Sequence, residues 1–176
     1  MATKSKQVCT SCGRTLRFER RQYPFAEGGV PNVVLQGVEL ADCGHCGNSE
    51  IIIPQLARIH RVIALALANS PRRLTGPQFR FLRKHLGKSG EQMAEYLHTD
   101  KTKISKWERA EDSIGQASDR LMRLLVTALD PELAGNVRST AEHLRKISDE
   151  PGEDIEIHVD VEVLTAAYVT VRRAAA

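Results

Sequence analysis

The chain has 176 residues, of which 41% are hydrophobic and 27% charged, and its formal net charge is +3. That length holds one ordinary domain or two small ones. The longest apolar stretch, residues 62–68, is far too short to cross a bilayer, and residues 1–8 are basic and polar rather than a secretory signal, so a soluble cytoplasmic protein with no membrane partner is expected.

In a reducing compartment four cysteines serve as thiols or metal ligands rather than disulfides. Cys9-Thr10-Ser11-Cys12-Gly13 and Cys43-Gly44-His45-Cys46-Gly47 repeat one pattern, Cys-x-x-Cys-Gly. Each pair can clasp one edge of a tetrahedral ion, and the following Gly permits the sharp turn that carries backbone amides toward the sulfurs. Cys9, Cys12, Cys43 and Cys46 together make a four-thiolate site for which one Zn²⁺ is the natural occupant. Four cysteines leave no open coordination position, so the ion would be structural. A redox dithiol would need only one pair. A zinc deaminase would need a Pro before its Cys-x-x-Cys and a His-x-Glu; Val8 and Asp42 stand at the Pro position and no His-x-Glu occurs. His45 reads as an exposed knuckle side chain, and the other histidines have no nucleophile or acid at useful spacing, which leaves an enzyme with little support. The thirty residues between the pairs exceed ordinary zinc-ribbon spacing. They still read as strands over 15–23 and 33–40 with a turn at 27–32, and a third strand follows at 51–53.

Leu56, Ile59, Ile63 and Leu67 recur at helical spacing after Pro54, and Asn69-Ser70-Pro71 ends that helix. The next helix, 78–86, turns Phe79, Leu82 and Leu86 inward and Arg80, Arg83 and Lys84 outward before Gly87 stops it. Ser89-Gly90-Glu91-Gln92 is a capping box opening a second helix, with Met93, Ala94 and Leu97 inward. His98-Thr99-Asp100 connects it to a third at 101–109, where Ile104 and Trp107 anchor the core. Lys101, Thr102, Lys103, Lys106 and Arg109 are left outward. Residues 71–109 carry ten Lys or Arg against four acids, a local excess of six in a chain of +3. A basic run is often only a solvated face. Here it sits on a docking helix, which points to double-stranded DNA, with Lys101 and Arg109 leaning to phosphates and Thr102 and Lys106 toward base edges.

Leu82, Arg83, Ser89, Ala94, Leu97, Ile104, Ser105, Trp107 and Glu108 carry a resemblance to the phage-repressor-like (XRE/Cro) helix-turn-helix family. Gly90, His98, Thr99 and Ala110 depart from its pattern, and a non-Gly residue at the turn position of His98 predicts a slightly altered turn. With the two cysteine knuckles ahead of it, the stretch 9–130 resembles the MqsA family of antitoxins with a YgiT-type zinc finger. That resemblance implies a homodimer that represses its own operon by binding its own operator, joins the nucleoid when DNA-bound, and neutralises a protein toxin through the zinc lobe. The family's base-reading Asn and Arg are replaced by Thr102 and Lys106, so a different operator is expected.

A further helix from Ser118 carries Leu121, Leu124, Leu125 and Leu129, and another from Asp130-Pro131 carries Leu133, Val137, Leu144 and Ile147. Either could supply the dimer contact. Residues 130–163 hold ten acids and three bases. After Glu150-Pro151-Gly152, Ile155, Ile157, Val159, Val161 and Val163 alternate with polar residues as a strand. One strand alone is unstable, so it must pair with 167–171, a dimer mate, the zinc lobe or a basic toxin.

The expected fold is α+β: a small four-cysteine zinc-ribbon-like β lobe (1–53), a helical connector (54–74), an all-α helix-turn-helix domain (75–130), and a helix plus C-terminal β-strand tail (131–176). The expected function is a zinc-containing DNA-binding repressor of the antitoxin type, with a stand-alone regulator or a protein-interaction adaptor as alternatives.

Overall fold

In the computed structural model, which describes residues 8–26, 29–151 and 155–170, the three strands expected around the cysteine pairs are β1 (Arg17–Pro24), β2 (Val33–Asp42) and β3 (Ser49–Ile52). β1 runs antiparallel along β2, from Arg17 opposite Asp42 to Pro24 opposite Val34. β3 pairs antiparallel with the second half of β2, Glu39 to Asp42. The β1–β2 register slips between Arg21 and Tyr23, where Gly37 takes a φ of +77°, the left-handed value that a bulge of this kind asks of glycine.

The helices follow: α1 (Leu56–Asn69), then the short strand β4 (Arg72–Arg73), α2 (Gly76–His85), α3 (Gly90–Tyr96), α4 (Lys101–Glu108) and α5 (Gln116–Leu129). A 3₁₀ turn leads into α6 (Val137–His143) and another leaves it. The chain closes with β5 (Ser148–Pro151), β6 (Ile155–Asp160) and β7 (Thr165–Thr170). α1 buries Ile59, Ile63, Ala64, Ala66, Leu67 and Ala68, whereas Leu56 stays exposed. It packs against β6 and β7 as well as α2, α5 and α6, so one apolar core runs from Leu35 and Val38 through Ile63 to Phe79, Ile104 and Met122. A second, small cluster of Cys9, Leu16, Ala41 and Cys43 lies at the knuckle end.

The C-terminal strand is not a tail. β6 lies parallel to the first half of β2, Val33 opposite Ile157 through Gln36 opposite Asp160, and β7 pairs antiparallel with β6. The sheet order is therefore β1-β2-β6-β7, with β3 also beside β2. The cause is apolar burial: Ile157, Val159 and Val161 enter the main core. The acids on this segment are used within the chain. Glu162 pairs with Arg20, Glu156 lies 3.0 Å from His158, and Asp160 accepts the amides of Glu162 and Val163 at 2.8 and 3.1 Å.

α5 does not bury its whole leucine stripe. Its buried face is Asp119, Met122, Arg123 and Val126, which leaves Leu121 and Leu129 exposed. An ion pair sets that phase. Arg123, fully buried, meets Asp119 at 2.8 Å and donates to the carbonyls of Leu67, Ala68 and Ser70 at 3.2, 3.3 and 2.7 Å and to that of Arg72. Asp119 in turn accepts the Leu74 amide at 2.8 Å. A guanidinium thus satisfies the open carbonyls at the C-terminus of α1, where the helix dipole also favours a cation.

α2 starts directly on the end of α4. A Cβ added at Gly76 would fall 2.3 Å from the Trp107 carbonyl oxygen and 3.1 Å from that of Glu108. Gly76→Ala is therefore expected to destabilise the fold by about 1–3 kcal/mol through overpacking against backbone that cannot rotate away, read as a lowered Tm.

Candidate metal centre and candidate nucleic-acid interface

Both Cys-x-x-Cys-Gly segments fold into the same knuckle. The amide of Cys9 donates to the Arg14 carbonyl at 2.8 Å and that of Gly13 to Cys9 at 2.8 Å; Cys43 with Asn48 and Gly47 with Cys43 repeat this at 2.8 and 3.0 Å. Gly13 and Gly47 take φ values of +71° and +73°, which is why the repeat needs glycine there. The two knuckles meet face to face, with Cys9 and Cys46 sulfurs 3.6 Å apart and Cys12 and Cys43 sulfurs 3.5 Å apart. All four Sγ atoms lie within 4.8 Å of one another, and none is in a disulfide. Tetrahedral zinc at about 2.3 Å from each sulfur requires sulfur pairs about 3.8 Å apart. The four cysteines can therefore bind one metal ion, with dimensions consistent with zinc.

The surrounding amides prepare the sulfurs for a cation. Those of Cys46 and His45 pull the Cys43 thiol down to about 6. The amides of Ser11 and Cys12 lower Cys9 in the same way. The Asn48 amide also favours a Cys46 thiolate, but the crowded sulfurs of Cys43 and Cys9 outweigh it and push that thiol up to about 12. Four like-charged sulfurs this close cannot all ionise without a positive ion among them. His45 is exposed and outside the cluster, and Asn48 Nδ2 approaches Cys9 Sγ at 3.9 Å, a contact that the spacing of the cysteines alone does not reveal.

Forty residues or more along the chain, α3 and α4 stand as two short helices joined at residues 97–100. Ser89 caps α3 by accepting the Gln92 amide at 3.1 Å while Gln92 accepts that of Ser89 at 2.9 Å, the reciprocal box the sequence specifies. Asp100 caps α4 by accepting the Lys103 amide at 2.8 Å, a bond that holds its carboxyl below the usual range. His98 adopts the left-handed φ of 49° itself, and the Thr99 amide donates to the Ala94 carbonyl at 2.9 Å, so a non-glycine residue holds the left-handed position of this turn.

α4 buries Ile104 and Trp107 and exposes Lys101, Thr102, Lys103 and Lys106 together. Lys103 also leans over the Trp107 ring, 5.8 Å from its centroid. Arg109 is exposed but committed: its guanidinium binds Glu111 at 2.6 and 2.9 Å and reaches the Ser105 hydroxyl. Arg83, expected to face outward, instead turns in. It makes a two-pronged pair with Glu108 and donates to the Lys88 carbonyl at 2.7 Å, tying α2, the α2–α3 turn and α4 together. Arg83 and Glu108 are visible in the sequence as separate motif positions, but their pairing depends on a helix crossing that spacing does not encode. Among the described residues, the cations on this face without an acid partner are thus lysines rather than arginines. No helix among the described residues is long and apolar enough to cross a membrane. No protein-family model, curated protein or solved structure matches the chain.

Proposed function

We propose that this chain is a zinc-stabilised, sequence-specific DNA-binding repressor in which α3 and α4 form a helix-turn-helix and α4 docks in the major groove. The observation that carries the reading is the outer face of α4, where Lys101, Thr102, Lys103 and Lys106 are exposed as a group while Ile104 and Trp107 anchor the helix. Lysines beside a small hydroxyl suit phosphates and base edges in one groove. One zinc held by Cys9, Cys12, Cys43 and Cys46 has no open position and serves the fold. The exposed Leu121 and Leu129, two turns apart on α5 with the half-buried Leu125 between them, support pairing of two copies across this face.

Anisotropy with a duplex from the gene's own upstream region, against a shuffled duplex, tests the reading. Lys106→Ala is expected to cost about 1–3 kcal/mol on the cognate duplex and far less on the shuffled one if Lys106 reads a base. Equal losses on both would remove its base-reading role, and equal wild-type affinity for both would remove sequence specificity.

Within this class, knuckles followed by a docking helix support an antitoxin whose zinc end neutralises a protein toxin. Co-expression with an adjoining reading frame tests that: a stable complex and restored growth support it, and no complex leaves the stand-alone regulator. β6 is not the toxin's dock in this reading, because both of its edges are already paired.

A further inference from the structure

A groove of about 480 Å³ lies between the two knuckles, lined by Gly13, Arg14, Thr15, Arg17, Gly44 and His45. The lining supplies two guanidiniums, a hydroxyl and an imidazole, with no carboxylate and no large apolar side chain. A Cβ added at Gly13 or Gly44 would meet nothing within 4 Å, so the backbone of both knuckles is open to close approach. Such a lining selects an anion by charge and offers nothing to an aromatic or aliphatic ligand. The two arginines are uncommitted where their neighbours are not. Arg20 pairs with Glu162 and Arg21 with Glu19. Arg14 and Arg17 are exposed and have no acid partner among the described residues; Asp42, opposite Arg17 in the β1–β2 register, accepts the Ser49 hydroxyl at 2.5 Å. Nor do the sulfurs require these guanidiniums. Backbone amides serve all four, those of Ser11 and Cys12 for Cys9, Arg14 for Cys12, His45 and Cys46 for Cys43, and Asn48 for Cys46.

The place of the groove relative to α4 favours a nucleic-acid backbone over an acidic peptide. Pro31 and Asn32, just ahead of β2, line one cavity with Trp107 and Ala110 at the C-terminal end of α4. The knuckles lie at the opposite end of β2, ten residues or about 30 Å along the strand. One turn of duplex measures roughly 34 Å, so DNA seated on α4 carries phosphates over the same distance. We propose that Arg14 and Arg17 hold a backbone phosphate of the bound duplex in this groove, roughly one helical turn from the base pairs under α4, a contact that rests on α4 docking as proposed above. Two guanidiniums and the Thr15 hydroxyl match the charged oxygens of a phosphodiester. A phosphate contact fixes register and adds affinity without reading bases, so the metal end lengthens the footprint on DNA and leaves the recognised sequence to α4.

The metal-loaded full chain is titrated with two upstream duplexes centred on one site, the longer of about three helical turns and the shorter of about one. Arg14→Gln with Arg17→Gln should bind the longer duplex roughly tenfold more weakly, as loss of charge-assisted bonds implies. It should also lose about one unit from the slope of log K against log salt, since one phosphate contact contributes about 0.9. On the shorter duplex it should match the wild type. Arg14→Lys with Arg17→Lys keeps both charges and should keep the slope. Metal content and the melting curve should stay those of the wild type, and Arg17→Gln alone, five residues from the nearest cysteine, repeats the comparison if the pair disturbs the knuckle. Undiminished affinity and slope on the longer duplex, or an equal loss on the shorter one, would overturn the phosphate site. A third arm uses Lys101→Ala, Lys103→Ala, Lys106→Ala, in which the groove carries the remaining binding. Displacement of the longer duplex from that variant by polyglutamate as effectively as by unlabelled duplex would overturn the site too, and assign the groove to an acidic protein segment. If the lysine variant binds like the wild type while the arginine variant does not, the docking reading of α4 falls and the groove stands; a wild type that binds no duplex overturns both.

Discussion

Removing the metal from the four-thiol centre is expected to unfold the knuckle end while the helical core stays folded. The cluster around the knuckles consists of Cys9, Leu16, Ala41 and Cys43 with Phe18 and Ile52 against it, and two of its four buried members are themselves ligands. So little apolar material cannot hold two tight turns, and a structural zinc site contributes on the order of 10 kcal/mol to the segment it closes. The rest of β2 is anchored elsewhere, through Leu35 and Val38 in the main core. Chelation, or Cys43→Ser, should therefore release one bound metal ion per chain and expose the amides of Ser11, Cys12, His45 and Cys46 to hydrogen exchange. Amides in α1 and α5 should keep their protection. Unchanged exchange in both knuckles after the metal is gone would contradict a structural role, and simultaneous loss in α1 would contradict the separateness of the two clusters.

Arg123→Met is expected to cost about 3–5 kcal/mol, a large fraction of the stability of a typical domain. The substitution strands the buried Asp119 carboxylate and leaves the carbonyls of Leu67, Ala68, Ser70 and Arg72 without this donor. A double variant separates the two effects. If the ion pair alone mattered, Arg123→Met with Asp119→Leu would restore most of the stability, as replacing a buried pair by apolar residues often does. Because the guanidinium also caps the end of α1, and Asp119 holds the Leu74 amide, the double variant should remain destabilised by more than half of the single-variant loss. Urea unfolding of the three proteins measures this, and full recovery in the double variant would refute the capping role.

How far these features can be read from the sequence follows from whether their causes are local. The metal site is legible because Cys-x-x-Cys-Gly specifies its own turn, glycine conformation and amide donors, and it needs only the pairing of two such units. The helix starts at Ser89 and Asp100 are legible for the same reason. α5 is not. Its leucine stripe does not say which face is buried: Arg123 and Asp119 go inward while Leu121 and Leu129 stay exposed, and the reward for that burial lies on α1, more than fifty residues away. The acidic strand is legible as a strand through its strict alternation, and the segment at 167–171 and the zinc lobe are legible among its possible partners; spacing does not decide that it takes both, since the open half of β2 becomes available only where β3 ends. The inward turn of Arg83 to Glu108 across a helix crossing is not legible either, whereas Arg109 stays exposed as its spacing implies, with Glu111 two residues on beside it.

The lysines on one face of α4 are the proposed hold on duplex DNA. Its most direct measurement is the salt dependence of operator affinity for the full chain and for the triple variant Lys101→Ala, Lys103→Ala, Lys106→Ala. Each lysine that neutralises a phosphate contributes about 0.9 to the slope of log K against log salt, so the variant should bind far more weakly and lose roughly two to three units of slope. An unchanged slope and affinity in a variant that melts like the wild type would place any DNA contact elsewhere and contradict the account.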